Sequence, residues 1–260
     1  MQELLKQQAE KYLAKYPKIF FCHVPKCAGV SLSKAIYASV YPSVLKGTKF
    51  ASHIDLKSSR VSAELLGIEM MTARESQLIS HLDNPHMLYT NGHCIARPSV
   101  VSKYYKDWHF LTILRDPIDR YISEYVYNRF KKSEWLKNDT DIEEYLSTPT
   151  GISAGMTYAK YFSGMTVEEI LADKQTAIDA SVANLRQFAV AGTLDDMDGW
   201  KQKFDATFNT NIKVASKNKS PNQGASADIL NNPALMEQIR SLCEVDTAIY
   251  EQVKGVSKAA

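Results

Sequence analysis

The sequence predicts an α/β fold: a single domain with a mostly parallel central sheet flanked by helices. Three observations predict it. Short apolar runs of strand length alternate along the chain with apolar residues at helical spacing. Two of the runs pass through a tight turn directly into a helix start, the opening of a βαβ unit. The length, 260 residues, suits one domain, or at most two small ones.

Taken in order, Gln2 to Tyr16 places Leu5, Ala9, Tyr12, Leu13 and Tyr16 on one helical face, and Pro17 ends it. Lys18 to Val24 (KIFFCHV) reads as a buried strand, Pro25 to Gly29 as a break, and Ser31 onward as a helix carrying Leu32, Ala35, Ile36 and Val40. Ser62 to Leu82 reads as a helix and Met87 to Thr90 as a short strand followed by Asn91-Gly92-His93. Trp108 to Leu114 (WHFLTIL) is the clearest strand. It runs into Arg115-Asp116-Pro117, where Asp116 suits an N-cap and Pro117 the first helical position. That helix reaches about Lys131, with an apolar stripe of Ile118, Tyr121, Ile122, Tyr125 and Val126. Helices are expected over 141–147, 154–162, 167–188, 198–208 and 233–253, a strand over 188–192, and a polar loop over 215–227. The expected organisation is one domain over 1–260, with an N-terminal helix over 1–17 and the core over 18–254.

Composition narrows the function. Hydrophobic residues at 45% and charged residues at 23% exclude a disordered chain. Lys plus Arg is 31 against 29 Asp plus Glu, and a net charge of +2 argues against a nucleic-acid coat or a polybasic membrane anchor. No apolar run reaches the length of a membrane-spanning helix. Charges at Glu3, Lys6, Glu10, Lys11, Lys15 and Lys18 are incompatible with a secretory leader, so a cytoplasmic location is expected. Cys22, Cys27, Cys94 and Cys243 form no CxxC pair, which points to free thiols rather than zinc or a disulfide frame.

Two strand-to-helix turns carry the functional signal. The first is Lys26-Cys27-Ala28-Gly29-Val30-Ser31-Leu32. Free N–H groups and the dipole of the helix that follows attract an anion, Lys26 adds a full charge, and Ser31 adds a hydroxyl. The second starts at Arg115, whose planar fork suits a phosphate, and places Ser123 eight residues on, off the apolar stripe. Read blandly, the first is an ordinary βα loop with a capping serine, and Arg115 is a surface arginine paired with Asp119. Ligands of open α/β sheets lie beyond the carboxyl ends of the strands, where both turns fall. No GxxxxGK[ST] occurs, which disfavours a nucleoside-triphosphate enzyme of that type.

Strand-PKCAGVSL-helix resembles the 5′-phosphosulfate loop of sulfotransferases that use 3′-phosphoadenosine 5′-phosphosulfate, and LRDPIDRYISEY resembles their 3′-phosphate motif. The closest likeness is to the carbohydrate branch that includes heparan sulfate 2-O-sulfotransferases and related bacterial enzymes, through NGH and FAVAGTLDDMDGW. It spans roughly 18–254, strongly in the two motifs. The resemblance implies a sulfotransferase fold with a P-loop-like turn. It implies donor contacts from Lys26, Cys27, Ala28, Gly29, Val30, Ser31, Leu32, Arg115 and Ser123, and a hydroxyl-bearing acceptor, a sugar or glycan. Val30 stands where the family often has Thr, so one hydroxyl contact is lost.

Sulfuryl transfer from such a donor demands no metal, and Lys26 is the group to meet charge on the bridging oxygen. The acceptor hydroxyl needs a base. His93 is the candidate, because it follows a short strand at the ligand edge and the 2-O-sulfotransferase branch has a catalytic histidine in a similar GH context. The alternative is a structural loop histidine. His23 sits within a strand, either in the core or as a support behind the site, His109 alternates within a strand as a packing residue, His53, His81 and His86 lie in polar segments, and Glu124 is a partner for Arg120. The loop Lys217 to Pro221 is either a basic flap over the nucleotide or a solvated loop. A phosphotransferase on a similar sheet and a non-catalytic sulfotransferase relative are the competing functions.

Overall fold

The computed structural model describes residues 2–45, 50–133, 135–215 and 223–258. Five strands form one sheet: β1 (Lys18–Cys22), β2 (Ala51–His53), β3 (Tyr89–Gly92), β4 (Trp108–Leu114) and β5 (Val190–Thr193). Their order is β2-β3-β1-β4-β5, and every pair is parallel. The sequence explains this directly. β1 and β4 are apolar along almost their whole length, and both stay buried on both faces, as strands covered by helices must be. The α/β class with a parallel, helix-flanked sheet is therefore as expected.

Register fixes the functional edge. Cys22 pairs with Gly92, and Phe21 pairs with Leu111. The carboxyl ends of β3, β1 and β4 are thus neighbours in the sheet.

Several element boundaries differ from the sequence reading. The expected helix over 62–82 is two helices, Leu56–Leu66 and Met70–Asp83, because Gly67 takes a left-handed φ of 64° and ends the first. The helix over 154–162 divides into Pro149–Gly155 and Thr157–Ser163, and that over 167–188 into Val167–Ala172 and Lys174–Leu185, with the Asp173 carboxylate capping Thr176. The helix over 233–253 is Pro233–Leu242 and Glu244–Lys258. Part of the expected polar loop is the helix Gln223–Leu230. β2 and the helix Pro98–Tyr104, which starts on Pro98, carry too few residues for a periodic signal. β3 begins and ends two residues later than expected, so Asn91 and Gly92 lie within it. β1 stops at Cys22, and the first helix stops at Leu13.

Two apolar clusters hold these layers. One surrounds the sheet and includes Phe20, Phe110, Phe162 and Trp200. The other packs the stripe Tyr121, Ile122, Tyr125 and Val126 of the helix Pro117–Phe130 against Tyr145, Leu235 and Ile239. That helix is anchored along one side, which leaves Tyr127 exposed and Ser123 half-buried. All four cysteines are buried and free.

Candidate active site

The helix after β1 starts at Gly29, earlier than its apolar residues alone suggest. Ala28 precedes it at a left-handed φ of 55°, with no side-chain cap and no acidic residue in the first turn. Lys26 is also left-handed, at φ 67°. Two L-residues in this region within one turn cost roughly 1–2 kcal/mol each. The strain aims the backbone of an uncapped helix start outward, and the local chemistry suits an anion. Cys27, between the two strained residues, is fully buried. Val30 is 64% exposed and offers no hydroxyl.

Gly29 is needed for a reason that spacing alone does not reveal. A Cβ on it would come within 1.8 Å of the His23 ring. His23 is buried just beyond β1, and its ring lies 4.2 Å from that of His93. Burial, reinforced by His93 and His53, pushes the His23 pKa down to about 3, so it is neutral at ordinary pH.

The second turn is built differently. Asp116 caps the helix Pro117–Phe130, accepting from Ile118 N and Asp119 N at 3.0 Å each. This helix start is already occupied by the protein's own carboxylate, as the sequence predicts. An anion here must be bound by side chains, not by the helix dipole. Arg115 is half-buried, and its fork meets Asp119 at only 3.5 Å. The pair expected under the bland reading is present, yet at 32% and 53% exposure it holds the guanidinium weakly. Ser31 and Ser123 are half-buried, and neither hydroxyl has a protein partner among the described residues. One open helix start and one weakly held guanidinium, each with a spare hydroxyl, fit a ligand with two separate anionic groups.

Lys26 joins the turns. Its Nζ lies 4.0 Å from the centroid of the Tyr127 ring on the second helix. Burial lowers its pKa, Glu124 opposes this, and Arg115 adds to it, so all three charges share one neighbourhood. Glu124 also acts on His93 and is ion-paired with Arg120.

His93 follows β3 and is half-buried. Its Nδ1 lies 2.5 Å from the carbonyl oxygen of His23. A carbonyl can only accept, so Nδ1 carries the proton and Nε2 keeps its lone pair. Arg74 donates to the His93 carbonyl at 3.1 Å. Burial lowers the His93 pKa, as do Arg74 and His53, while the bond to His23 and Glu124 act against this. Of the other histidines, His109 packs edge-on to Phe208, His81 Nδ1 meets Thr90 Oγ1 at 2.8 Å, and His53 Nδ1 meets Asn91 Oδ1 at 2.9 Å.

The structure therefore brings Lys26, His93 and Arg115 to the ends of three adjacent strands. The loop Lys217 to Pro221 lies outside the described residues. Sequence reasoning paired Arg120 with Glu124 but missed the rest of the buried polar layer beneath the site. Arg120, fully buried, reaches Glu124 and the Ala154 carbonyl. Tyr158 meets both turns, at Arg115 and Cys27. Among the described residues no group of three or more His, Cys, Asp or Glu is placed to hold a metal, and no helix is long and apolar enough to cross a membrane.

The family model described as the sulfotransferase family matches residues 12–251. No curated protein matches the chain. Among solved structures, the crystal structure of a sulfotransferase from Alicyclobacillus acidocaldarius is similar over 89% of this chain and 95% of that one, at 13% identity and a TM-score of 0.34.

Proposed function

The chain belongs to the sulfotransferase family, and we propose that it transfers the sulfuryl group of 3′-phosphoadenosine 5′-phosphosulfate to a hydroxyl of a sugar or glycan. Residues 18–254 act as one catalytic unit in this reading, beside the carbohydrate branch of the family. The observation that carries it is the placement of Lys26, His93 and Arg115 at neighbouring strand ends, around a helix start with no side-chain cap.

The donor supplies an already activated sulfuryl group on a phosphate leaving group. The uncapped helix start, from Ala28 to Leu32, would hold the 5′ side, and Arg115 with Ser123 the 3′-phosphate. Lys26 keeps a positive charge beside the 5′ side, where negative charge grows on the leaving oxygen. His93 takes the acceptor's proton at Nε2, because its Nδ1–H is committed to the His23 carbonyl. The neutral, buried His23 ring holds the imidazole from one side.

Two measurements test this. Calorimetry should show tighter binding of adenosine 3′,5′-bisphosphate than of ATP. Equal or tighter ATP binding, with no effect of a 3′-phosphate, rejects the donor assignment. Transfer of labelled sulfate to a panel of glycans, phenols and lipids decides the acceptor. Transfer to phenols or lipids alone rejects the sugar assignment while leaving the donor site intact.

A further inference from the structure

We propose that the Tyr158 hydroxyl is a clasp that sets the spacing of the two phosphate turns, which makes Tyr158 a positioning residue for ligands that bridge them. The proposal rests on the donor-site reading above.

The geometry is specific. The Tyr158 side chain is wholly buried. Its oxygen accepts the Arg115 N–H at 3.0 Å, and its O–H donates to the Arg115 carbonyl at 2.5 Å. One hydroxyl thus satisfies both backbone groups of the residue at which β4 leaves the sheet. The same oxygen lies 3.6 Å from Cys27 Sγ, at the centre of the strained first turn. A single atom therefore touches both turns.

That atom is fixed from behind. Tyr158 lies at the start of the helix Thr157–Ser163, where the buried Asp246 carboxylate accepts from Tyr158 N at 2.8 Å and Ala159 N at 3.0 Å. The Arg120 guanidinium lies 5.9 Å from the ring centroid.

The two roles make different predictions about binding. A ligand with one phosphate engages one turn and gains nothing from their spacing. A ligand with two gains the advantage of a second, intramolecular contact only while the spacing is held. A clasp therefore raises the affinity of the double anion selectively.

The experiment titrates AMP, adenosine 3′-monophosphate and adenosine 3′,5′-bisphosphate into the wild-type chain, Tyr158→Phe and Cys27→Ala, with circular dichroism and thermal melts to establish folding. In Tyr158→Phe the bisphosphate should weaken by about tenfold, the scale of one lost hydrogen-bonded constraint, while each monophosphate changes by no more than about threefold. Cys27→Ala keeps both bonds to Arg115 and should show the same pattern with a smaller loss. A folded Tyr158→Phe in which all three ligands weaken equally, or none does, overturns the clasp. If Tyr158→Phe does not fold, Cys27→Ala decides, and an unchanged bisphosphate-to-monophosphate ratio overturns the clasp. A wild-type chain that binds AMP as tightly as the bisphosphate overturns the donor-site reading and the clasp with it. A wild-type preference that survives in folded Tyr158→Phe overturns the clasp alone.

Discussion

Lys26 Nζ stands 4.0 Å from the centroid of the Tyr127 ring. The lysine comes from the turn after β1 and the tyrosine from the helix after β4, so this cation–π pair spans the two halves of the candidate site. The ring face and the Glu124 carboxylate help keep a half-buried ammonium charged against the cost of burial.

A charge held this way contributes most when negative charge grows beside it. Lys26→Ala should lower kcat by about 10²–10³-fold, while affinity for adenosine 3′,5′-bisphosphate falls by no more than about tenfold. Steady-state kinetics beside calorimetry separates the two effects, and turnover should persist with a chelator present. Normal turnover in the variant, or a strict requirement for magnesium, would remove Lys26 from the chemistry.

Arg115→Ala should do the opposite. The helix beside Arg115 is capped by Asp116, so no dipole remains to hold an anion once the guanidinium is gone. Loss of a charge-assisted contact costs about 1.5–3 kcal/mol, a ten- to hundredfold loss of bisphosphate affinity. Ser123→Ala should cost less. The melting temperature should barely move, because the pair with Asp119 is long and half-exposed. Unchanged bisphosphate affinity in a folded Arg115→Ala protein would overturn the 3′-phosphate assignment.

The contrast between the turns shows what the sequence could and could not convey. Both read as a strand running into a helix start. Asp116-Pro117 announces a capped helix through local chemistry, and the structure has one. The open start after Ala28 depends on two left-handed residues, and nothing in Lys26 or Ala28 as residue types predicts that conformation. The strands were legible because β1 and β4 are buried on both faces and therefore apolar throughout. β2 was not, because three residues, two half-buried and one exposed, carry no pattern. Tyr158 was out of reach for another reason. Its partner Arg115 lies 43 residues away, and hydrogen bonds at that separation follow from the packing of whole helices rather than from local spacing.

Gly29→Ala should destabilise the fold although alanine favours helices. The new Cβ would fall 1.8 Å from the His23 ring, and that ring cannot retreat freely because His93 lies 4.2 Å away. Overpacking of this kind costs about 1–3 kcal/mol, more than the ~1 kcal/mol that Gly→Ala returns in a helix. Urea denaturation should show the loss, and the double variant His23→Ala/Gly29→Ala should recover part of it relative to His23→Ala alone. Additive losses in the double variant would show that the two positions do not compete for space.

His93→Ala should separate chemistry from donor binding. His93 lies beyond β3, outside the turns that carry Lys26 and Arg115, so bisphosphate affinity should stay nearly intact while turnover falls by roughly 10²–10⁴-fold, the range for a lost general base. The pH dependence carries a sign. Only neutral imidazole accepts a proton, and Nε2 is the free nitrogen because Nδ1 donates to the His23 carbonyl. Burial first, then Arg74 and His53, hold the His93 pKa below its ordinary value of 6.5. The wild-type rate should therefore decline on acidification at a lower pH than an ordinary histidine would give, as His93 passes through its lowered pKa. An unperturbed histidine would already be half-protonated at about 6.5. Single-turnover transfer at saturating donor, run on both proteins across pH, makes the comparison. The acid limb should be present in the wild type and absent from the residual rate of His93→Ala. A folded variant with near-normal rates, or one that keeps the same acid limb, would assign the proton transfer to another group.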